Sequence, residues 1–140
     1  SDKNENTFAE VKGLKMLYKP EGKKEIDRSL EEFLKENNIL AEDIDLVLTG
    51  NSGDYSGDAV YYEFLNRNFP DTPAAYFKHL TGEYHTASSF RLWLASNILK
   101  HQAYPDFIQL NDKRPNEIKN ILICNHYFNI NHSFILLSRS

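Results

Sequence analysis

The sequence is short of several things, and each shortage removes a class of function. It has one cysteine, Cys124, in 140 residues. No disulfide can form within the chain, which fits a reducing, cytoplasmic setting. It has no basic stripe. The 16 Lys and Arg stand against 20 Asp and Glu, a net charge of −4, so nucleic acid finds no electrostatic footing. No apolar run approaches the ~20 residues needed to span a bilayer, so no membrane partner is expected. No HExxH, Cys-His or EF-hand spacing and no P-loop glycine pattern occurs, so neither a metal nor a cofactor is called for. There is no initiator methionine. Ser1 to Thr7 are nearly all polar and lack the apolar core of a signal peptide. They read as a linker or tag, with residues 8–140 as one domain. The expectation is an excised piece of a longer protein; the alternative is a processed or tagged small one.

What is present is ordinary for a globular domain: hydrophobic residues make up 41%, enough for a real core. Phe8 to Leu17 reads as a strand with a bend at Gly13. Ile26, Leu30, Phe33, Leu34 and Asn37 share one face of a helix from Lys23 to Asn37. Leu46 to Thr49 is a short buried strand. Ser56 or Asp58 is placed to cap the next helix, whose apolar face is Val60, Tyr61, Phe64 and Leu65. Ala74 to Phe77 is another strand. A long helix from Tyr84 to His101 carries Ala87, Phe90, Leu94 and Ile98 on one face, with Trp93, Ala95 and Leu99 as a second edge. Ile121 to Tyr127 and Ser133 to Ser138 form an antiparallel pair. The order β-α-β-α-β-α-β-β predicts an α/β domain: a mixed, mostly parallel sheet of about five strands flanked by helices.

Three segments carry a resemblance. Ile44-Asp45-Leu46-Val47-Leu48-Thr49-Gly50 runs without a gap into Gly57-Asp58. Phe77-Lys78-His79-Leu80-Thr81-Gly82-Glu83 follows, and then Cys124-Asn125-His126-Tyr127-Phe128-Asn129. In order, these resemble the β-ketoacyl synthase motifs I-D-x-V-x-x-H-G-T-x-T with P-L-G-D, T-K-S-x-T-G-H, and S-N-S-F-G-F-G-G-T-N. The similarity covers about Ile44 to Leu137. It implies the C-terminal half of a thiolase-like fold, in which two similar halves pack together. The family's catalytic positions fall on Gly50, Lys78 and Glu83, so both catalytic histidines are replaced. Asn125, Tyr127 and Phe128 fall where the family lines the acyl chain and thioester, but the glycines of that loop are gone, and only glycine tolerates such close approach freely.

The family uses a cysteine thiolate from its N-terminal half, which is absent here. Two neutral histidines donate hydrogen bonds to the malonyl thioester oxygen and stabilise the enolate. One such donor is worth roughly 3–4 kcal/mol. Gly50 has no side chain to give. An ionised Glu83 would set negative charge beside a negative enolate; it donates only if burial keeps it protonated. Cys124 lies in an apolar run and reads as an inert buried thiol. The resemblance to an acyltransferase therefore points to a partner that does not condense, like a chain-length factor of fatty-acid or polyene/polyketide assembly. Its implied partners are an N-terminal ketosynthase half or a separate ketosynthase, an acyl carrier protein, and a second copy in a dimer. Two alternatives stay open: an active 3-oxoacyl synthase of an unusual subfamily, and a plain α/β interaction domain sharing only the scaffold.

Overall fold

A computed structural model describes residues 9–50, 55–77, 85–127 and 130–139, with the side chains at 55, 56, 85–90 and 127 left aside. The elements follow the expected order: β1 (Ala9–Tyr18), α1 (Lys23–Glu36), β2 (Leu46–Thr49), α2 (Tyr55–Asn68), β3 (Ala74–Tyr76), α3 (His85–His101), β4 (Asn120–Tyr127) and β5 (Asn131–Arg139). They make one five-stranded sheet in the spatial order β1-β5-β4-β2-β3. β2 runs parallel to both β3 and β4, while β5 runs antiparallel to both β4 and β1. Four strands thus point one way and β5 alone is reversed.

The central strands are buried on both faces, which is why β2 reads as an unbroken apolar run. Val47, Leu122, Cys124, Phe134 and Leu136 face α1 and α2, meeting Leu30, Phe33, Leu34 and Phe64. Leu46, Leu48, Ile121, Ile123, Ile135 and Leu137 face α3, meeting Ala95, Ile98 and Leu99. Each such side chain contributes about 1.5–3 kcal/mol on leaving water.

Two local expectations are corrected, and the bend expected at Gly13 is found. α2 begins at Tyr55, so Ser56 and Asp58 lie in its first turn rather than capping it. Gly13 marks a β-bulge, with the register shift falling between Val11 and Gly13. Packing at Gly13 is close: a Cβ there would meet the Asn37 amide at 2.8 Å and the Phe33 ring at 3.0 Å. Of the second edge of α3, Ala95 and Leu99 are covered, but Trp93 is 60% exposed.

The two sheet edges differ. The segment after α3 guards β3 through a bridge between Ala75 and Gln109, and the Ala74 N–H donates to Asn111 Oδ1. β1 is open along its outer side among the described residues. Val11, Leu14, Met16 and Tyr18 on it are all more than half exposed. Leu14 pairs with Ile135, so the Leu14, Met16 and Tyr18 side chains stand on the α3 side of the sheet.

Candidate functional site

The parallel strands bring three chain segments to one end of the sheet. Thr49 is in register with both Tyr76 and Cys124. The next residues, Gly50, Phe77 and Asn125, therefore come together. Gly50 is buried, and a Cβ placed on it would lie 2.8 Å from Phe77 Cζ and 3.0 Å from Tyr61 Oη, and closer still to Asn125 Oδ1. The space a side chain would need is occupied.

Tyr61 comes from α2, and its burial comes from the apolar face it shares with Phe64 and Leu65. Its hydroxyl donates to Asn125 Oδ1 at 3.0 Å and accepts the His126 main-chain N–H at 3.0 Å. Burial pushes the Tyr61 phenol well above its ordinary pKa, so it stays a neutral donor. His126 lies against the Tyr61 ring, centroids 4.6 Å apart, and stacks on His132 across the hairpin at 5.5 Å. His126 Nε2 is 2.8 Å from the Gly57 carbonyl oxygen. A carbonyl only accepts, so Nε2 carries the proton. This bond ties the first turn of α2 to β4.

Between these groups lies a cavity of about 20 Å³, lined by Tyr61, Cys124, Asn125, His126 and His132 among others. It holds about one water, not an acyl chain. Cys124 is buried, and burial pushes its thiol up, away from the reactive thiolate. Arg91 on α3 is 8% exposed and sets its guanidinium over the Phe77 ring at 5.7 Å. Burial lowers its pKa, opposed by the nearby Tyr61. Arginine remains charged regardless.

The structure thus brings Gly50 and Asn125 into contact. Tyr127 lies at the end of β4 on the same hairpin. Lys78, Glu83 and Phe128 lie outside the described residues. Sequence reasoning missed Tyr61 and Arg91 as members of this site. One signal was available for Tyr61: a tyrosine on a fully apolar helix face must find a partner for its hydroxyl.

This architecture, a five-stranded mixed sheet between helices, has the α/β fold of thiolase-like proteins. The chain is similar to the oxazolomycin ketosynthase domain OzmH KS8 of Streptomyces albus JA3453, with a TM-score of 0.64 at 11% identity over 91% of this chain and 44% of that one. It also matches 3-oxoacyl-acyl-carrier-protein synthase III from Aquifex aeolicus VF5, with a TM-score of 0.48 at 12% identity over 97% of this chain and 46% of that one. The chain spans less than half the length of either solved chain. No protein-family model and no curated protein matches it. No helix among the described residues is long and apolar enough to cross a membrane.

Proposed function

We propose that this chain is a ketosynthase-like module of fatty-acid or polyene/polyketide assembly that does not itself condense, a cytoplasmic partner of the chain-length-factor kind. The observation that carries the reading is at Gly50. The family's first histidine falls on a residue with no side chain, and Asn125, Phe77 and Tyr61 fill the space beside it. An enolate formed here would lack that donor, a loss of about 3–4 kcal/mol in barrier. Cys124 offers no replacement nucleophile, since its thiol is buried and its ionisation suppressed.

The second half of the reading concerns partners. The matched ketosynthase domain is more than twice the length aligned here. The open stripe of Leu14, Met16 and Tyr18, with Trp93 exposed on α3, supports a companion ketosynthase half or subunit seated on the α3 side. An acyl carrier protein completes the proposed assembly. The experiment is a turnover assay with malonyl thioesters, run on the chain alone and with an active ketosynthase. No decarboxylation alone is expected. Turnover by the chain alone, abolished in Glu83→Ala, would overturn the reading.

A further inference from the structure

The hydrogen bonds of β5 decide which groups of β1 are left open. The Arg139 N–H donates to the Lys119 carbonyl, and Ser138 stands opposite Asn120. In an antiparallel ladder the bonded pairs alternate, so Leu137, Ile135, Ser133 and Asn131 bond to β4. Phe134 and His132 are left to bond β1, opposite Lys15 and Leu17. The Lys19 N–H, which donates to the Ile130 carbonyl at 2.7 Å, keeps the same alternation. Leu14, Met16 and Tyr18 therefore turn their main-chain N–H and C=O groups away from β5. Their side chains are more than half exposed.

Sheet edges are usually guarded by bulges, lysines or prolines. Here the bulge at Gly13 and the pair Lys19-Pro20 bracket the stretch from Leu14 to Tyr18 but do not interrupt it. An added strand must set its own outward residues against these three. A second copy of β1, antiparallel about a two-fold axis, meets that condition. Charge then selects the register, because like charges directly opposite are destabilising. Centred on Lys15, the two lysines oppose each other. Centred on Leu17, Lys15 opposes Lys19. Centred on Leu14 or Tyr18, the ladder runs into the Gly13 bulge or Pro20. Centred on Met16, Leu14 opposes Tyr18 and Lys15 opposes Leu17, and no like charges meet. The Lys15 ammonium is drawn to Glu32 and Glu36 of α1, at 3.5 and 3.4 Å.

We infer that two copies of this chain join through β1, antiparallel and centred on Met16, so that their sheets become one continuous sheet. Nothing in this pairing depends on the ketosynthase reading. The pairing closes on itself. The other edge, β3, is covered through the Ala75–Gln109 bridge, so among the described residues each copy has one open edge. A dimer forms rather than a filament. The bonds are made by main chain at the edge, which leaves the α3 face of both copies free for a companion.

The test is disulfide trapping with single cysteines introduced in the whole 140-residue chain; the native Cys124 is buried. In this register Met16 meets its counterpart at about 5.5 Å between Cα atoms, inside the ~4.4–6.8 Å span of a disulfide. Lys15 lies about 8 Å from its counterpart and Leu14 about 14 Å, both too far. With oxidised glutathione, Met16→Cys should form a covalent dimer roughly tenfold or more faster than Lys15→Cys or Leu14→Cys. Met16→Pro removes an outward N–H that β5 does not use, a change that edge strands tolerate. It should weaken dimerisation by about tenfold or more in sedimentation, since each copy loses a hydrogen bond. If Met16→Pro does not fold, the cysteine rates still decide. Equal rates at the three positions overturn the pairing, as does a faster Lys15→Cys or Leu14→Cys. A native chain that sediments as a monomer at its highest soluble concentration overturns it too. A monomeric chain that instead binds a separate ketosynthase, and loses it in Met16→Pro, assigns the edge to that partner and overturns the dimer.

Discussion

Asp45 holds Asn120 across 75 residues of chain. Its Oδ2 accepts the Asn120 N–H at 3.0 Å and the Lys119 N–H at 2.8 Å, so one carboxylate fixes where β4 starts beside β2. Asn120 passes the tie on: its Nδ2 donates to the Asp43 carbonyl, and its Oδ1 accepts Ser138 Oγ–H at 2.6 Å. Asp45→Ala leaves two main-chain donors without their partner and should cost about 1–3 kcal/mol. Urea unfolding measures this. A change under ~0.5 kcal/mol would mean that water replaces the carboxylate.

Gly50→Ala should destabilise the fold by about 1–3 kcal/mol through overpacking against Phe77, Tyr61 and Asn125. Gly50→His, which restores the family's residue, should cost more and should confer no malonyl decarboxylation. Unfolding midpoints and the turnover assay check both. A well-folded, active Gly50→His would show that the Tyr61 and Asn125 side chains yield the space freely.

The legible parts of this chain are those that local pattern sets. The apolar run at Leu46 to Leu48 and the helical spacing of Ile26, Leu30, Phe33 and Leu34 gave strand and helix, because burial period and element period coincide. Gly50 and Asn125 were legible through motif order. Tyr61 was not, because its partners Asn125 and His126 lie 64 and 65 residues away. Nor was the start of α2, where Ser56 and Asp58 have the chemistry of caps but fall inside the first turn. The exposure of Trp93 was hidden too, since the period marks an apolar edge without naming what covers it.

Arg67 and Asp27 join α2 to α1. Arg67 Nε reaches Asp27 Oδ2 at 2.7 Å and Nη2 reaches Oδ1 at 3.0 Å, a two-point pair. Burial opposes the Asp27 carboxylate, but hydrogen bonds from Arg67 and Asn68 and the Arg67 charge together hold its carboxyl below the usual carboxylate range. A carboxyl depressed in the folded state binds fewer protons there than when unfolded. Its stabilisation is full above the unfolded value of about 3.9 and is lost as pH falls through the lower folded value. Asp27→Asn should therefore lower Tm at pH 7 and lose that effect by about pH 2. The pair is partly exposed, so its worth is of order 1 kcal/mol or less. An equal loss at both pH values would assign the effect to packing.

Met16 and Leu14 are 72% and 60% exposed on an open edge strand. Leu14→Lys with Met16→Glu should leave the unfolding midpoint within ~0.5 kcal/mol, because exposed positions carry little fold energy. The same change should weaken self-association and any binding to a companion half. Sedimentation velocity reads the first and co-purification the second. A native chain that is strictly monomeric and indifferent to both substitutions would remove the stripe as an interface.

Cys124 should react slowly with a thiol-modifying reagent in the native state and rapidly in denaturant, since it lies under α1 and α2. Fast native labelling would mean that the Tyr61–His126 cover opens readily.

The pairing of β1 with β5 also orders events in time. Ala9 faces Arg139 and Tyr18 faces Asn131, so among the described strands β1 is completed by β5, which follows it by more than a hundred residues. During synthesis β1 has no strand to join until nearly the whole domain has emerged, and closing so long a loop is paid for before its contacts are gained. β2, β3 and β4 have no such wait, as β4 can join them before β5 exists. Nascent chains stalled before Asn131 should thus hold a partial sheet with β1 unpaired, and that interval is when its apolar stripe meets other molecules most freely.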